Sequence, residues 1–212
     1  MARLGGKELE LATAQLAARD ASMGRVIAQA GPWERGKSNP DGPFGALVRS
    51  IAFQQLAGAA AATIHGRFRA LVTGPLTPEA VLAVSEQDLG AVGLSGSKRA
   101  AIRDLARKVI DGTVRLDRLG RMSDDETVEM LCGVRGIGVW TAQMLLLFEL
   151  RRPDVWPTGD LAVRSGYALI HDLTASPSPK ELEALGEPYR PWRSVAAHYC
   201  WEAVHLSRRR VS

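Results

Sequence analysis

The chain has 212 residues, 46% of them hydrophobic and 24% charged, with a formal net charge of +4; this is enough chain to bury a core as one domain or two small lobes. Its two cysteines, Cys132 and Cys200, are too few for an iron–sulfur cluster or a cysteine-based zinc site and give no disulfide framework. No apolar run is long enough to cross a bilayer and the N-terminus lacks a signal-peptide core, so the expected setting is the cytoplasm, with the nucleoid as the site of action in a bacterium.

Helical periodicity dominates and nothing reads as a strand. Phe44, Leu47, Val48 and Ile51 recur at i, i+3, i+4 and i+7. The polar pair Gln54-Gln55 then interrupts, before an Ala-rich helix carrying Ile64, Phe68 and Leu71. Thr77-Pro78 and Ser85 open two further helices, Gly93 closes the second, and Ser97 is expected to cap the helix that buries Ile102, Leu105, Ala106 and Val109. Ser123 and Glu126 form a capping box ahead of a helix ending at Cys132-Gly133.

Next comes Gly133-Val134-Arg135-Gly136-Ile137-Gly138. Glycines at this spacing let the chain turn tightly and present successive N–H groups, those of Gly136, Gly138, Val139 and Thr141, at the start of the following helix, where the dipole also favours an anion. A nucleotide cofactor would use the same physics, but no alternating βαβ pattern surrounds this segment, so the expected anion is a DNA phosphate. Lys98-Arg99, Arg151-Arg152 and Arg208-Arg209-Arg210 suit such a partner. Gly93 to Lys98 faintly echoes the main hairpin, which makes Ser97 and Lys98 candidates for a second phosphate contact.

A largely buried helix is expected from Val139 to about Leu150, stopped by Arg152-Pro153. The loop Asp154 to Gly159 delivers Asp160 to the start of a helix running to about Asp172. As an N-cap, Asp160 would be ordinary; facing an opening, the same carboxylate could stabilise positive charge or orient a water. Pro191 is expected at N1 of the last helix, with Trp192, Val195, Ala196 and Tyr199 in its core stripe and Ser194, His198, Trp201 and His205 on a second face. Trp140 and Trp201 stand where flat rings could stack on an inserted base. Gln54, Gln55 and Leu56 are long side chains at an exposed joint and are candidates to fill a hole in a base stack. No histidine has metal-ligand spacing.

The Leu131 to Ala142 and Pro157-Thr158-Gly159-Asp160 segments together resemble the helix-hairpin-helix DNA glycosylase superfamily. Ser50-Ile51-Ala52-Phe53-Gln54-Gln55, Gly138-Val139-Trp140-Thr141-Ala142 and Pro191-Trp192-Arg193-Ser194 make the chain similar to its compact alkylation-repair 3-methyladenine glycosylases. The resemblance implies an all-α fold of two helical lobes, residues 1–40 plus 153–212 and residues 41–152, with the helix-hairpin-helix at 124–150 and a catalytic cleft between the lobes. It implies Asp160 as the catalytic acid and Trp140, Met144, Leu161 and Trp201 as the base pocket. Met144 and Leu161 stand where the family has aromatics. It also implies a structural Na+ or K+ held by the main-chain carbonyls of Cys132, Val134 and Ile137, with no cofactor for catalysis. Bifunctional relatives place a Lys nucleophile just after the Gly-x-Gly, where this chain has Trp140, so strand cleavage is not expected.

The expectation is a monomeric enzyme that flips and hydrolytically excises alkylated purines from double-stranded DNA. The alternatives that stay open are a glycosylase for a deaminated, oxidised or mismatched base and a non-catalytic module that binds damaged DNA. No base-reading helix is apparent, so binding through phosphates and lesion shape is expected, with no membrane partner.

Overall fold

The computed structural model describes residues 3–209, and every regular element among them is helical. In chain order these are α1 (Gly6–Arg19), α2 (Ala21–Ala30), α3 (Gly42–Phe53), α4 (Gly58–Ala70), α5 (Pro78–Ala83), α6 (Glu86–Ala91), α7 (Gly96–Ile110), α8 (Asp124–Cys132), α9 (Val139–Met144), α10 (Leu161–Ile170), α11 (Pro179–Leu185) and α12 (Arg193–Arg209). None of the described helices is long and apolar enough to cross a membrane. Two compact units emerge: a central one from Lys37 to Leu150, and a terminal one that joins the described residues up to Gly36 to those from Arg151 onward. Arg210, the last of the basic triplet, lies outside the described residues.

In the central unit, Thr77, Ser85 and Ser123 each accept a backbone N–H in the first turn of α5, α6 and α8, and Glu126 completes the box by accepting the Ser123 amide at 2.7 Å. Ser95, not Ser97, caps α7. The backbone of Ser95 is extended while Gly96 is already helical, which places Ser97 one step inside, with its hydroxyl 3.0 Å from that of Ser95. The periodic residues Leu47, Val48, Ile51, Phe68, Ile102, Leu105 and Leu131 are fully buried; each contributes about 1.5 to 3 kcal/mol relative to an exposed side chain.

The helix after the hairpin departs from expectation in two ways. It is α-helical only to Met144 and continues as a π turn, Leu145–Glu149, in which the Leu150 amide donates to the carbonyl of Leu145 at 2.9 Å. Leu145, Leu146 and Leu147 are all buried, and a regular α turn would swing one of three consecutive residues outward. Nor is the segment largely buried: Val139, Trp140 and Phe148 are about half exposed.

The terminal unit is built on α10 crossing α12. The approach is so close that a Cβ on Gly166 would overlap the carbonyl of Cys200. Leu16, Met23, Val163, Leu182, Val195 and Tyr199 fill its core, so α1 and α2 belong to the same hydrophobic cluster as the C-terminal helices. Pro191 does not occupy N1 of α12. The Arg190–Pro191 peptide is cis, and the Trp192 carbonyl accepts the amides of Val195 and Ala196, which makes Trp192 the residue that opens the helix. The expected second face also narrows. Ser194 is fully buried, and His198 stacks on Trp33 with ring centroids 4.4 Å apart, leaving Trp201 and His205 as its accessible members.

Candidate functional site

Asp160 ends a loop and opens α10. Its Oδ1 accepts the Val163 amide at 3.0 Å, so it is an N-cap, and accepts the indole N–H of Trp201 at 3.3 Å. The acid and the aromatic expected to serve chemistry are thus joined within one unit, by residues 41 apart in sequence. Asp160 is only 9% exposed, yet it sits at the rim of the unit, because the adjoining Gly159 and Leu161 are exposed, Leu161 at 64%. A carboxylate taken mostly out of water, with one oxygen fixed by two donors, keeps its strength and needs little reorganisation when positive charge develops beside it.

The loop before Asp160 is held as firmly as the acid. Ser194 Oγ donates to the Arg152 carbonyl at 2.6 Å and accepts the Val155 amide at 2.9 Å. The Arg193 guanidinium forks onto the Asp154 carboxylate at 2.8 and 3.1 Å and also donates to the Asp154 carbonyl. Trp156 donates its indole N–H to the carbonyl of Leu182, and a Cβ on Gly186 would overlap that ring nitrogen. Arg152 itself is buried, so it is not the surface cation its pairing with Arg151 suggested.

In the central unit the hairpin follows α8. Gly136 takes φ +76° and a Cβ there would meet the Ala101 side chain at 3.1 Å, while Gly138 is the extended residue that opens α9. Only glycine satisfies the first position without strain. Val139 and Trp140 project from the first turn of α9, and Thr141 is buried behind them. Two residues on α7 hold this turn. Asp104 accepts the Arg135 amide at 2.8 Å, and Lys108, paired with Asp104 at 3.1 Å, places its ammonium on the Gly133 carbonyl. Neither is conspicuous in the sequence beyond lying one turn apart beside the buried positions 101, 102 and 105.

The joint between α3 and α4 leans on the same hairpin. Gln54 donates its side-chain amide to the Gly136 carbonyl at 2.9 Å, and Lys98 donates its ammonium to the Ala52 carbonyl at 2.8 Å, burial pushing the Lys98 pKa down. Lys98 therefore closes the end of α3, and Ser97 engages the cap of α7. Gln55, by contrast, is exposed with φ +55°, and Leu56 is 40% exposed. A non-glycine residue at positive φ stores backbone strain, and such strain gathers at functional positions.

Met144 borders an open cavity of about 730 Å³ with Arg49, Ser50, His65, Leu145 and Phe148. No cluster of three His, Cys, Asp or Glu residues able to hold a metal occurs among the described residues. The candidate cation ligands are backbone oxygens. The Val134 carbonyl accepts the Ile137 amide at 3.1 Å, and the neighbouring Gly133 carbonyl accepts the Lys108 ammonium.

Residues 48–191 match the family described as HhH-GPD superfamily base excision DNA repair protein. Over 203 residues the chain is 32% identical to DNA-3-methyladenine glycosylase 1 of Schizosaccharomyces pombe, covering 94% of this chain and 89% of that protein. Two solved structures share its fold at 31% identity. One is the 3-methyladenine DNA glycosylase of the same yeast in complex with abasic DNA, with TM-score 0.81 and coverage of 90% of this chain and 95% of that one. The other is a DNA-3-methyladenine glycosidase from Bacillus halodurans, with TM-score 0.84 and coverage of 98% and 95%.

Proposed function

The chain belongs to the HhH-GPD superfamily of base excision DNA repair proteins, and we propose that it is a DNA-3-methyladenine glycosylase that hydrolyses the N-glycosidic bond of alkylated bases and leaves an abasic site. The observation that carries this reading is the indole N–H of Trp201 on the carboxylate of Asp160 at the rim of the terminal unit.

A base stacked in duplex DNA must first be extruded, which costs roughly a few kcal/mol and less at a damaged pair. An N-alkylated purine such as 3-methyladenine carries positive charge, so stacking on the Trp201 ring beside Asp160 gains a cation–π contribution of about 0.5 to 2 kcal/mol, and Leu161 adds apolar surface. A cationic base is already a good leaving group, and no protein acid is needed to protonate it. What remains is an oxocarbenium-like sugar. At 4 Å and an effective dielectric near 20, a carboxylate stabilises a unit positive charge by about 4 kcal/mol, close to a thousandfold in rate. Asp160 supplies that charge and orients the attacking water.

Gln55, backed by Leu56, is the residue we assign to the gap left in the stack, because Gln54 is spent on the Gly136 carbonyl while Gln55 is exposed and strained. The amides of Gly136, Gly138, Val139 and Thr141 grip a phosphate, and Lys98 acts by closing α3 more than by touching DNA. A Na+ or K+ on the Cys132, Val134 and Ile137 carbonyls would be structural, neutralising the turn. With Trp140 in the place of a nucleophilic lysine, the enzyme is monofunctional. It acts as a cytoplasmic monomer.

Release of free base from alkylated duplex under single-turnover conditions tests the reading. Asp160→Asn should slow release about a thousandfold while preserving affinity for abasic DNA, and undiminished release would refute the catalytic role. Weighing the liberated base across a panel of lesion duplexes ranks the substrates, with 3-methyladenine expected to lead.

A further inference from the structure

The catalytic carboxylate of the proposed reaction is delivered by a loop, and a loop by itself holds a carboxylate poorly. Here one helix, α12, grips the loop near its start and again at Asp160. At its N-terminal end, the Ser194 amide donates to the Pro153 carbonyl at 3.1 Å, its hydroxyl bridges Arg152 and Val155, and Arg193 binds Asp154 through side chain and backbone. Two turns further on, Trp201 holds Asp160. Between these grips the chain is short and stiff. The Thr158 amide donates to Trp156, the Asp160 amide donates to Pro157, both at 2.9 Å, and Pro153 and Pro157 have fixed φ.

From this geometry we propose that Arg193 and Ser194 are positioning residues for excision, setting where Asp160 stands along α12 without touching substrate. The proposal rests on the reading of Asp160 as the catalytic carboxylate. Ser194 is fully buried, and the Arg193 guanidinium is spent on the Asp154 carboxylate and carbonyl, so neither is placed to touch substrate. Their shortest contacts are to main-chain groups and the Asp154 carboxylate in the segment whose far end is Asp160; outside it, the Arg193 guanidinium lies at 3.4 Å from Glu183 and 3.7 Å from Glu187. Arginine is required because its planar fork meets both carboxylate oxygens and the Asp154 carbonyl at once, which a lysine ammonium cannot do. A displacement of about 1 Å at a reacting group can cost on the order of a hundredfold in rate. Small shifts at residues 152–155 would therefore be read at the chemical step.

The experiment measures single-turnover release of 3-methyladenine from methylated duplex at saturating enzyme, per molecule able to bind abasic DNA, together with the Kd for abasic DNA. Variants are compared below their melting temperatures with near-UV circular dichroism matching the parent. Ser194→Ala and Arg193→Met should lower the rate about 10- to 100-fold with Kd within twofold, and Arg193→Lys should recover part of it. A residue that merely stabilises the fold would lower the melting temperature and the active fraction but not the rate per active molecule, and that result overturns the proposal. If the first two variants do not fold, Arg193→Lys decides: a rate equal to the parent's overturns the proposal, and a loss at unchanged Kd supports it. Asp160→Asn run in parallel separates the two readings. Wild-type excision by it removes the premise, whereas an inactive Asp160→Asn beside fully active Arg193 and Ser194 variants removes the positioning role alone.

Discussion

The hairpin of the central unit and the acid of the terminal unit solve opposite problems. The hairpin works through main-chain groups at an exposed helix start, where Val139 and Trp140 are half exposed and the decisive residue, Gly136, has no side chain. Asp160 works through a side chain that is 9% exposed and held by Trp201 and the Val163 amide. Phosphate carries a full charge and meets any set of convergent amides, so the hairpin needs shape more than composition. A transient charge on a sugar needs a desolvated, pre-placed counter-charge, so the acid needs neighbours. Binding and chemistry should therefore separate under mutation.

The sharpest break is Asp160→Asn, expected to slow base release about a thousandfold, the roughly 4 kcal/mol of charge stabilisation given above, with abasic-DNA affinity retained. Parallel loss of binding would collapse the contrast. Next in size is an acid sensitivity of the terminal unit. Burial pushes the pKa of His198, stacked on Trp33, down to about 4, with nearby His205 adding to the effect. The unfolded chain then binds a proton that the folded one refuses, so stability should be complete above about pH 6.5 and fall between pH 6.5 and 4, by at most roughly 3 kcal/mol. His171, also lowered by burial, acts in the same direction in this unit, and His65 does so in the central unit. His198→Gln should flatten the melting temperature against pH, and an unchanged slope would remove this assignment.

On the hairpin side, Gly136→Ala forces a side chain into positive φ and against Ala101, a strain of about 1 to 2 kcal/mol. Affinity for abasic DNA should weaken about tenfold with the saturated excision rate unchanged, as measured by fluorescence anisotropy and single-turnover release. The smallest effect belongs to Trp201→Phe, which keeps a ring but loses the 3.3 Å hydrogen bond to Asp160. A bond of that length is worth about 1 kcal/mol, so release should slow about fivefold while Kd stays put.

Much of this was legible where the governing contact spans a few residues. The caps at Thr77, Ser85 and Ser123, the turn at Gly136 and the cap at Asp160 all follow from chemistry within one helical turn. Locality also misleads when two residues compete. Ser95 took the cap expected of Ser97, because the choice depends on which backbone turns extended, and Pro191 stands outside α12, because Trp192 accepts the first helical amides. The first thirty residues carry α1 and α2, and both join the terminal core.

The sequence by itself determined an all-helical chain, the hairpin's phosphate-shaped turn and an acid at the head of a helix, since periodicity, glycine spacing and capping are properties of neighbours in the chain. Only the tertiary structure decided that Gln54 is spent on Gly136 and Gln55 is not, that Asp104 and Lys108 hold the hairpin, and that α12 fixes Asp160 and its loop. Those decisions are hydrogen bonds between residues tens of positions apart, and which donor meets which acceptor is set by how helices pack, a quantity that no short stretch of sequence contains.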